Sequence, residues 1–314
     1  MKRIDFWFSI GSTYSYLTVM RLHQVARETG AEIAWRPFNV REMMVAQDNI
    51  PFAKLSATGN DFILFDNRQP LFSGDETAFF RGICARQTGV GADGILLIEN
   101  SESADFSMRY FNADGRESEM CGNGARAAAY YAFLHGIAPQ HCRFSVQGVP
   151  YEALVEGTSV SLLMHAPSNL RLQPGALEST DFEEGGMGDL GVPHYVLFAE
   201  NAGGVDVEKT GKFYCEHAFF QPRRTNVNFI TINALNELEI RTYERGVDAE
   251  TLACGTGAVV SAFVVHKTRG LPFPITLKAR GGTLTVAIDE ASGRPWLQGE
   301  VRLPFRGEID RGNF

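Results

Sequence analysis

The chain has 314 residues, room for two domains, because single cores stop growing at about 250–300 residues. A hydrophobic fraction of 44 % and a charged fraction of 21 % exclude a largely disordered chain. The net charge of −8 lacks the basic footprint of a nucleic-acid binder, and every apolar run falls far short of the roughly 20 residues that span a bilayer.

The N-terminal stretch MKRIDFWFSIGSTYSYL carries Asp5 inside its apolar run and has no small-residue cleavage site, so no signal peptide is expected. Ile4, Phe6, Phe8 and Ile10 alternate on one face, which predicts a strand over 4–10. A helix is expected from about Tyr14 to Glu28, stopped by Gly30, and a second strand over Glu32–Phe38. This βαβ unit of about 50 residues is too small to bury a core of its own.

From Phe52 onward the chain is rich in glycine and short strand-like segments, and it contains an internal repeat. YFNADGRESEMCGNGA at 110–125 aligns with the segment from Tyr243 to Ala258 at an offset of 133 residues. Six of sixteen positions are identical, among them Cys121/Cys254, Gly122/Gly255 and Gly124/Gly257, which favours an ancestral duplication over chance. Gly148 and Gly281 share that offset, each after a strand-like segment. Residues 127–134 (AAAYYAFL) and 258–265 (AVVSAFVV) are apolar all round, so each is expected as a helix enclosed by strands. Each helix would begin at a CGxG loop.

Five cysteines, an odd number without a CxxC pair, point to a reducing cytoplasm and free thiols. Cys84, Cys142 and Cys215 read as small buried hydrophobes. Cys121 and Cys254 differ, because a helix N-terminus stabilises a thiolate and lowers its pKa, and glycine-freed N–H groups form an anion site. Two such loops facing one cleft suit a carboxylate whose α-carbon lies between two acid/base groups, one removing and one delivering a proton.

At these residues the chain from about Phe52 to the C-terminus resembles the diaminopimelate epimerase family. The motifs are ATGNDFI at 57–63, GVGADG at 89–94, FNADG at 111–115, MCGNGAR at 120–126, GVPHYV at 191–196, TNVNFI at 225–230, YERG at 243–246 and ACGTGA at 253–258. The resemblance implies an α/β (α+β) fold of two pseudo-symmetric halves, each with strands around a central buried helix. It implies an isomerase that interconverts LL- and meso-diaminopimelate without cofactor or metal, in lysine and peptidoglycan precursor synthesis. The catalytic cysteines fall on Cys121 and Cys254. The amides holding the reacting carboxylate fall on Gly122, Asn123, Gly255 and Thr256, and Asn60 lines the pocket. Asn112, Asn226, Glu244 and Arg245 match the residues that grip the distal amino and carboxylate groups, and His194 and Glu244 match the groups that tune the thiols. The implied partner is a small amino acid, with neither nucleic acid nor membrane; a homodimer is admitted. Two departures from the family pattern are Val192 and Gly94, both in the finer substrate contacts. The related proline and hydroxyproline racemases also pair cysteines, but usually carry a histidine in the first motif.

Residues 1–50 resemble instead the start of the 2-hydroxychromene-2-carboxylate isomerase and kappa-class glutathione transferase group, through DFWFSIGSTYSYL and WRPF. That resemblance implies a thioredoxin-like fold and places the thiol-activating serine on Ser12, with Thr13 where a proline is usual. The expected division is therefore 1–51 as a truncated thioredoxin-like βαβ fragment without independent activity, 52–165 plus 303–314 as the first half, and 166–302 as the second.

Overall fold

The computed structural model describes residues 3–9, 21–22, 24–38, 49–175, 182–234 and 237–314. The chain divides into two compact units, residues Met1–Phe52 with Gly307–Phe314, and residues Ala53–Arg306.

In the N-terminal unit β1 (Arg3–Ser9) pairs in parallel with β2 (Glu32–Phe38), Phe6 opposite Trp35, with the two rings edge-on at 5.7 Å. Residues 21–22 and 24–29 are helical, and Gly30 follows with a φ of 65°. A parallel pair needs such a crossover. The start of the expected helix, Ser12 and Thr13 lie outside the described residues.

The larger unit shows the duplication in its strand pairing. Its first half comprises β3 (Asn49–Ala57), β4 (Asn60–Asp66), helix α1 (Thr77–Cys84), β5 (Gly94–Glu99), β6 (Phe106–Asn112), β7 (Glu117–Ser118), helix α2 (Gly122–Leu134), β8 (His141–Val146), β9 (Val149–Glu156) and β10 (Ser159–Leu163). After β11 (Ser168–Leu172) the second half runs β12 (Glu183–Leu190), β13 (Val192–Phe198), helix α3 (Val207–Cys215), β14 (Asn226–Ala234), β15 (Glu237–Glu244), β16 (Ala249–Thr251), helix α4 (Gly255–Arg269), β17 (Ile275–Ala279), β18 (Gly282–Ile288) and β19 (Pro295–Asp310). Pairing alternates antiparallel and parallel through β3–β4–β5–β6–β8–β9. It alternates identically through β12–β13–β14–β15–β17–β18. In each half the two parallel pairs are connected through helices, the first by a short one (α1 or α3) and the second by the central one (α2 or α4). The halves join where β19 pairs antiparallel with both β10 and β18. The two-residue turns at Gln147-Gly148 and Arg280-Gly281 keep the offset seen in the sequence.

The enclosure expected for the two apolar helices is present. Ala127, Ala128, Ala129 and Ala132 of α2, and Val259, Val260, Ala262, Val264 and Val265 of α4, are all fully buried in one core with strand residues such as Leu96, Phe144, Leu162, Leu277 and Leu297. Alanine on α2 lets the sheet close tightly, whereas α4 fills the same position with valine. No helix among the described residues is long and apolar enough to cross a membrane.

Candidate active site

Each central helix is N-capped by a cysteine with extended backbone, Cys121 at φ −112°, ψ 116° and Cys254 at φ −112°, ψ 110°. The first intrahelical bonds are Ala125 N–H to Cys121 O, 2.8 Å, and Ala258 N–H to Cys254 O, 3.0 Å. The N–H groups of Gly122, Asn123, Gly255 and Thr256 therefore have no partner inside their helices, as at any helix start. The Gly124 N–H turns back to the Cys121 sulfur at 3.5 Å.

Asn123 ties the two loops together. Its Nδ2 donates to the Asn60 Oδ1 at 3.2 Å and to the carbonyl of Ala253, the residue before Cys254, at 3.1 Å. Its Oδ1 accepts from the Arg126 guanidinium at 2.7 Å. Asn60 in turn donates to Asp93 at 2.6 Å, and its Oδ1 lies 3.8 Å from the Cys121 sulfur. Asn60 is therefore oriented from both ends.

On the second cysteine the partners come from neighbouring strands. The His194 Nε2 lies 2.9 Å from the Thr256 hydroxyl, which lies 3.4 Å from the Cys254 sulfur. Glu244, partly buried, accepts from the Thr251 hydroxyl at 2.5 Å, and its charge bears on the Cys254 thiol. His194 and Glu244 thus both reach the Cys254 side, while Glu244 also acts through its charge on Cys121. Asn226 accepts the Arg245 N–H at 3.0 Å, and the Arg245 side chain donates to the Arg223 carbonyl at 3.1 Å while its buried Nε has no partner among the described residues. A guanidinium with unused donors suits an incoming carboxylate. Asn112 is exposed at the end of β6, opposite Gly94. At Gly94 a side chain would meet the Phe111 carbonyl and the Tyr110 ring, so a larger residue there needs both to move.

The N-cap position alone suggests low thiol pKa values; the site shows the reverse. Burial pushes Cys121 up to about 11, against the Gly124 N–H that lowers it, and Glu244 adds to the rise. Burial, then Glu244, pushes Cys254 up further. Burial holds the His194 imidazole neutral, its pKa down to about 3, with Arg245 adding to the effect. Desolvation of charged forms outweighs the helix terminus here, with Cys254 buried and Cys121 partly so. All five cysteines are free thiols, and burial raises Cys84 and Cys142 to about 12, consistent with inert packing.

Three residues of this region escaped the sequence reading. Asn228, two positions after Asn226 on β14 and so on the same strand face, is fully buried beside His194. Thr242 donates to its side chain at 3.0 Å. Arg126 is wholly buried with no carboxylate partner among the described residues; it donates to Thr58 and Asn123, and burial lowers its pKa to about 10. The TNVNFI and MCGNGAR motifs contained two of these side chains, but nothing in a single sequence separates them from core-filling neighbours.

The family model described as diaminopimelate epimerase matches residues 52–165 and 187–303. A curated diaminopimelate epimerase of Chlorobaculum tepidum is 43 % identical over 263 residues, covering 81 % of this chain and 99 % of that protein. One of Aquifex aeolicus is 36 % identical over 272 residues, covering 82 % of this chain and 97 % of that protein. Among solved structures, a PhzF-family phenazine biosynthesis protein of Bacillus anthracis superposes with a TM-score of 0.64 at 16 % identity, over 83 % of this chain and 99 % of that one. A hydroxyproline epimerase of Agrobacterium vitis does so with a TM-score of 0.59 at 12 % identity, over 83 % and 92 %. These last two likenesses concern the fold alone.

Proposed function

The chain belongs to the diaminopimelate epimerase family and is an isomerase, and from that premise we propose that it interconverts LL- and meso-diaminopimelate with Cys121 and Cys254 as the two acid/base groups. The observation that carries this reading is the pair of N-cap cysteines on enclosed helices, their loops bonded together by Asn123 and Ala253. The substrate α-carbon would lie between the sulfurs. One thiolate takes the α-proton and becomes a thiol, while the opposite thiol gives its proton to the other face and becomes a thiolate. The stereocentre inverts with no net gain or loss of protons.

Burial keeps both thiols protonated until substrate arrives. The α-ammonium group of the substrate brings positive charge into the same enclosure and favours one thiolate. Glu244, whose charge bears on the Cys254 thiol, would exchange a proton with it. The first-turn N–H groups of α2 and α4 hold the reacting carboxylate and stabilise the charge that spreads onto it. Arg245, with its unpartnered Nε, and Asn226 would hold the distal amino-acid end. That end explains the choice of diaminopimelate over a cyclic imino acid, which has no second carboxylate for Arg245 to meet. The role would lie in lysine and peptidoglycan precursor synthesis.

The test is incubation with LL-diaminopimelate in deuterated water, following deuterium at the α-carbon and formation of the meso isomer. Cys121→Ala and Cys254→Ala should each abolish epimerisation. Parental rates in both variants would refute the two-thiol scheme.

A further inference from the structure

We propose that Asn228 and Thr242 are positioning residues, which lock the buried His194 as its Nε2–H tautomer so that the Thr256 hydroxyl points its proton at the Cys254 sulfur. The proposal rests on the reading of Cys254 as an acid/base group and adds the device that prepares it.

The direction of each hydrogen bond follows from one carbonyl. The Asn228 Nδ2 lies 3.1 Å from the backbone oxygen of Tyr195, which can only accept, so the amide nitrogen must face it. The amide oxygen then faces Thr242, whose hydroxyl donates to it at 3.0 Å. The second Nδ2 hydrogen points to the His194 Nδ1 at 3.3 Å, which must therefore be the unprotonated ring nitrogen. A neutral imidazole carries its proton on the other nitrogen, Nε2, and this donates to the Thr256 Oγ1 at 2.9 Å. The Nε2–H occupies one lone pair of the Thr256 oxygen and leaves its hydroxyl proton free for the Cys254 sulfur, 3.4 Å away, the direction that the proposal assigns to this contact.

Strand register delivers this alignment. His194 on β13 lies opposite Asn226 on β14, and Asn228 lies opposite Thr242 on β15, so three adjacent strands each supply a member. A glycine in the first turn of α4 completes it, because a Cβ on Gly257 would collide with the Asn228 Oδ1. Every member except Thr256 is buried, and wrong orientations would leave buried polar atoms unpaired. The charged groups around the relay are Arg245, which opposes a charge on His194, and Glu244, which faces Cys254. A second proton on His194 would confront the Asn228 amide hydrogen as well. His194 thus acts as a fixed dipole rather than as a proton donor.

The test begins with the nitrogen-15-labelled full chain without substrate, by long-range proton–nitrogen correlation of the imidazoles, the His194 signal identified by its loss in His194→Gln. The expected spectrum shows a protonated Nε2 and a bare Nδ1 from about pH 5 to about pH 8. An imidazolium or an Nδ1–H tautomer in that range would overturn the proposal. In Asn228→Asp the carboxylate should draw the proton to Nδ1, with kcat for epimerisation falling about tenfold or more and KM changed little. Thr256→Val should repeat that loss while Thr256→Ser retains most of the rate. Should Asn228→Asp fail to fold, Thr242→Val and the parental spectrum still decide the matter. Unchanged tautomer and rate in a folded Asn228→Asp protein would refute the relay. Because the spectrum needs no substrate, it stands or falls separately from the assignment of diaminopimelate.

Discussion

The chemistry of the two thiols turns on a contest between enclosure and a helix terminus. For Cys121 the enclosure prevails and holds the thiol up to about 11 in the free protein. Alkylation of Cys121 by iodoacetamide should therefore keep accelerating from about pH 7 to beyond about pH 9, since only the thiolate reacts. A plateau below pH 8 would contradict this. His194 has the opposite displacement, down to about 3, against about 6.5 in an unfolded chain. A depressed folded value contributes stability that is complete above the unfolded pKa and is lost as pH falls toward the folded one. Stability should thus decline from about pH 6.5 toward pH 3, with His194 supplying up to about 1.4 kcal/mol per pH unit once the unfolded histidine is protonated. Urea midpoints as a function of pH should show that slope in the parent and a shallower one in His194→Gln.

At the level of the element, the central helices show what sequence can and cannot disclose. AAAYYAFL and AVVSAFVV have no polar stripe, so they had to be enclosed, and α2 and α4 are. The offset between the two CGxG loops likewise foretold two similar halves, and their identical pairing order follows because spacing between strand and turn survives duplication. The relay was not legible. Asn228 and Thr242 stand on strands where polar residues read as solvent-facing, and their burial depends on partners from other strands. Thr256 was read only for its backbone amide, since its hydroxyl gains meaning once His194 is opposite. Arg126 was hidden by its charge, which suggests a surface, whereas its aliphatic stem and fork are enclosed against Thr58 and Asn123. The alanines of α2 carry a prediction of their own. Ala128→Leu would force extra carbons into a core with no room, costing about 1–3 kcal/mol. The denaturant midpoint should drop with the slope unchanged; an unaltered midpoint would mean that the core around α2 is looser than its burial indicates.

At the scale of the molecule, the site depends on two halves keeping their loops in register. β19 joins their sheets through β10 and β18, but the local bond across the chemistry is Asn123 to Ala253. A second approach lies nearby, where the Thr58-Gly59 turn meets Gly281 so closely that a Cβ on Gly281 would strike the Thr58 carbonyl. Arg126 grips Thr58 and Asn123 together, so one buried cation serves both approaches. Asn123→Ala removes the acceptor for Arg126 and the donor to Ala253 in one step. Each buried group left unpaired costs about 1–3 kcal/mol, so the variant should be markedly less stable. Stability alone does not distinguish a clamp from an ordinary buried amide; rate does. If Asn123 sets the spacing of the loops, the surviving folded fraction should show kcat for epimerisation reduced by about tenfold or more, as expected when reacting groups are misplaced by an ångström. Asn60→Ala perturbs only the Cys121 side, and its effect should fail to add to that of Asn123→Ala, because Asn60 and Asn123 share a hydrogen bond. Additive losses in the double variant, or a folded Asn123→Ala protein at parental kcat, would show that the halves hold their loops without this bond.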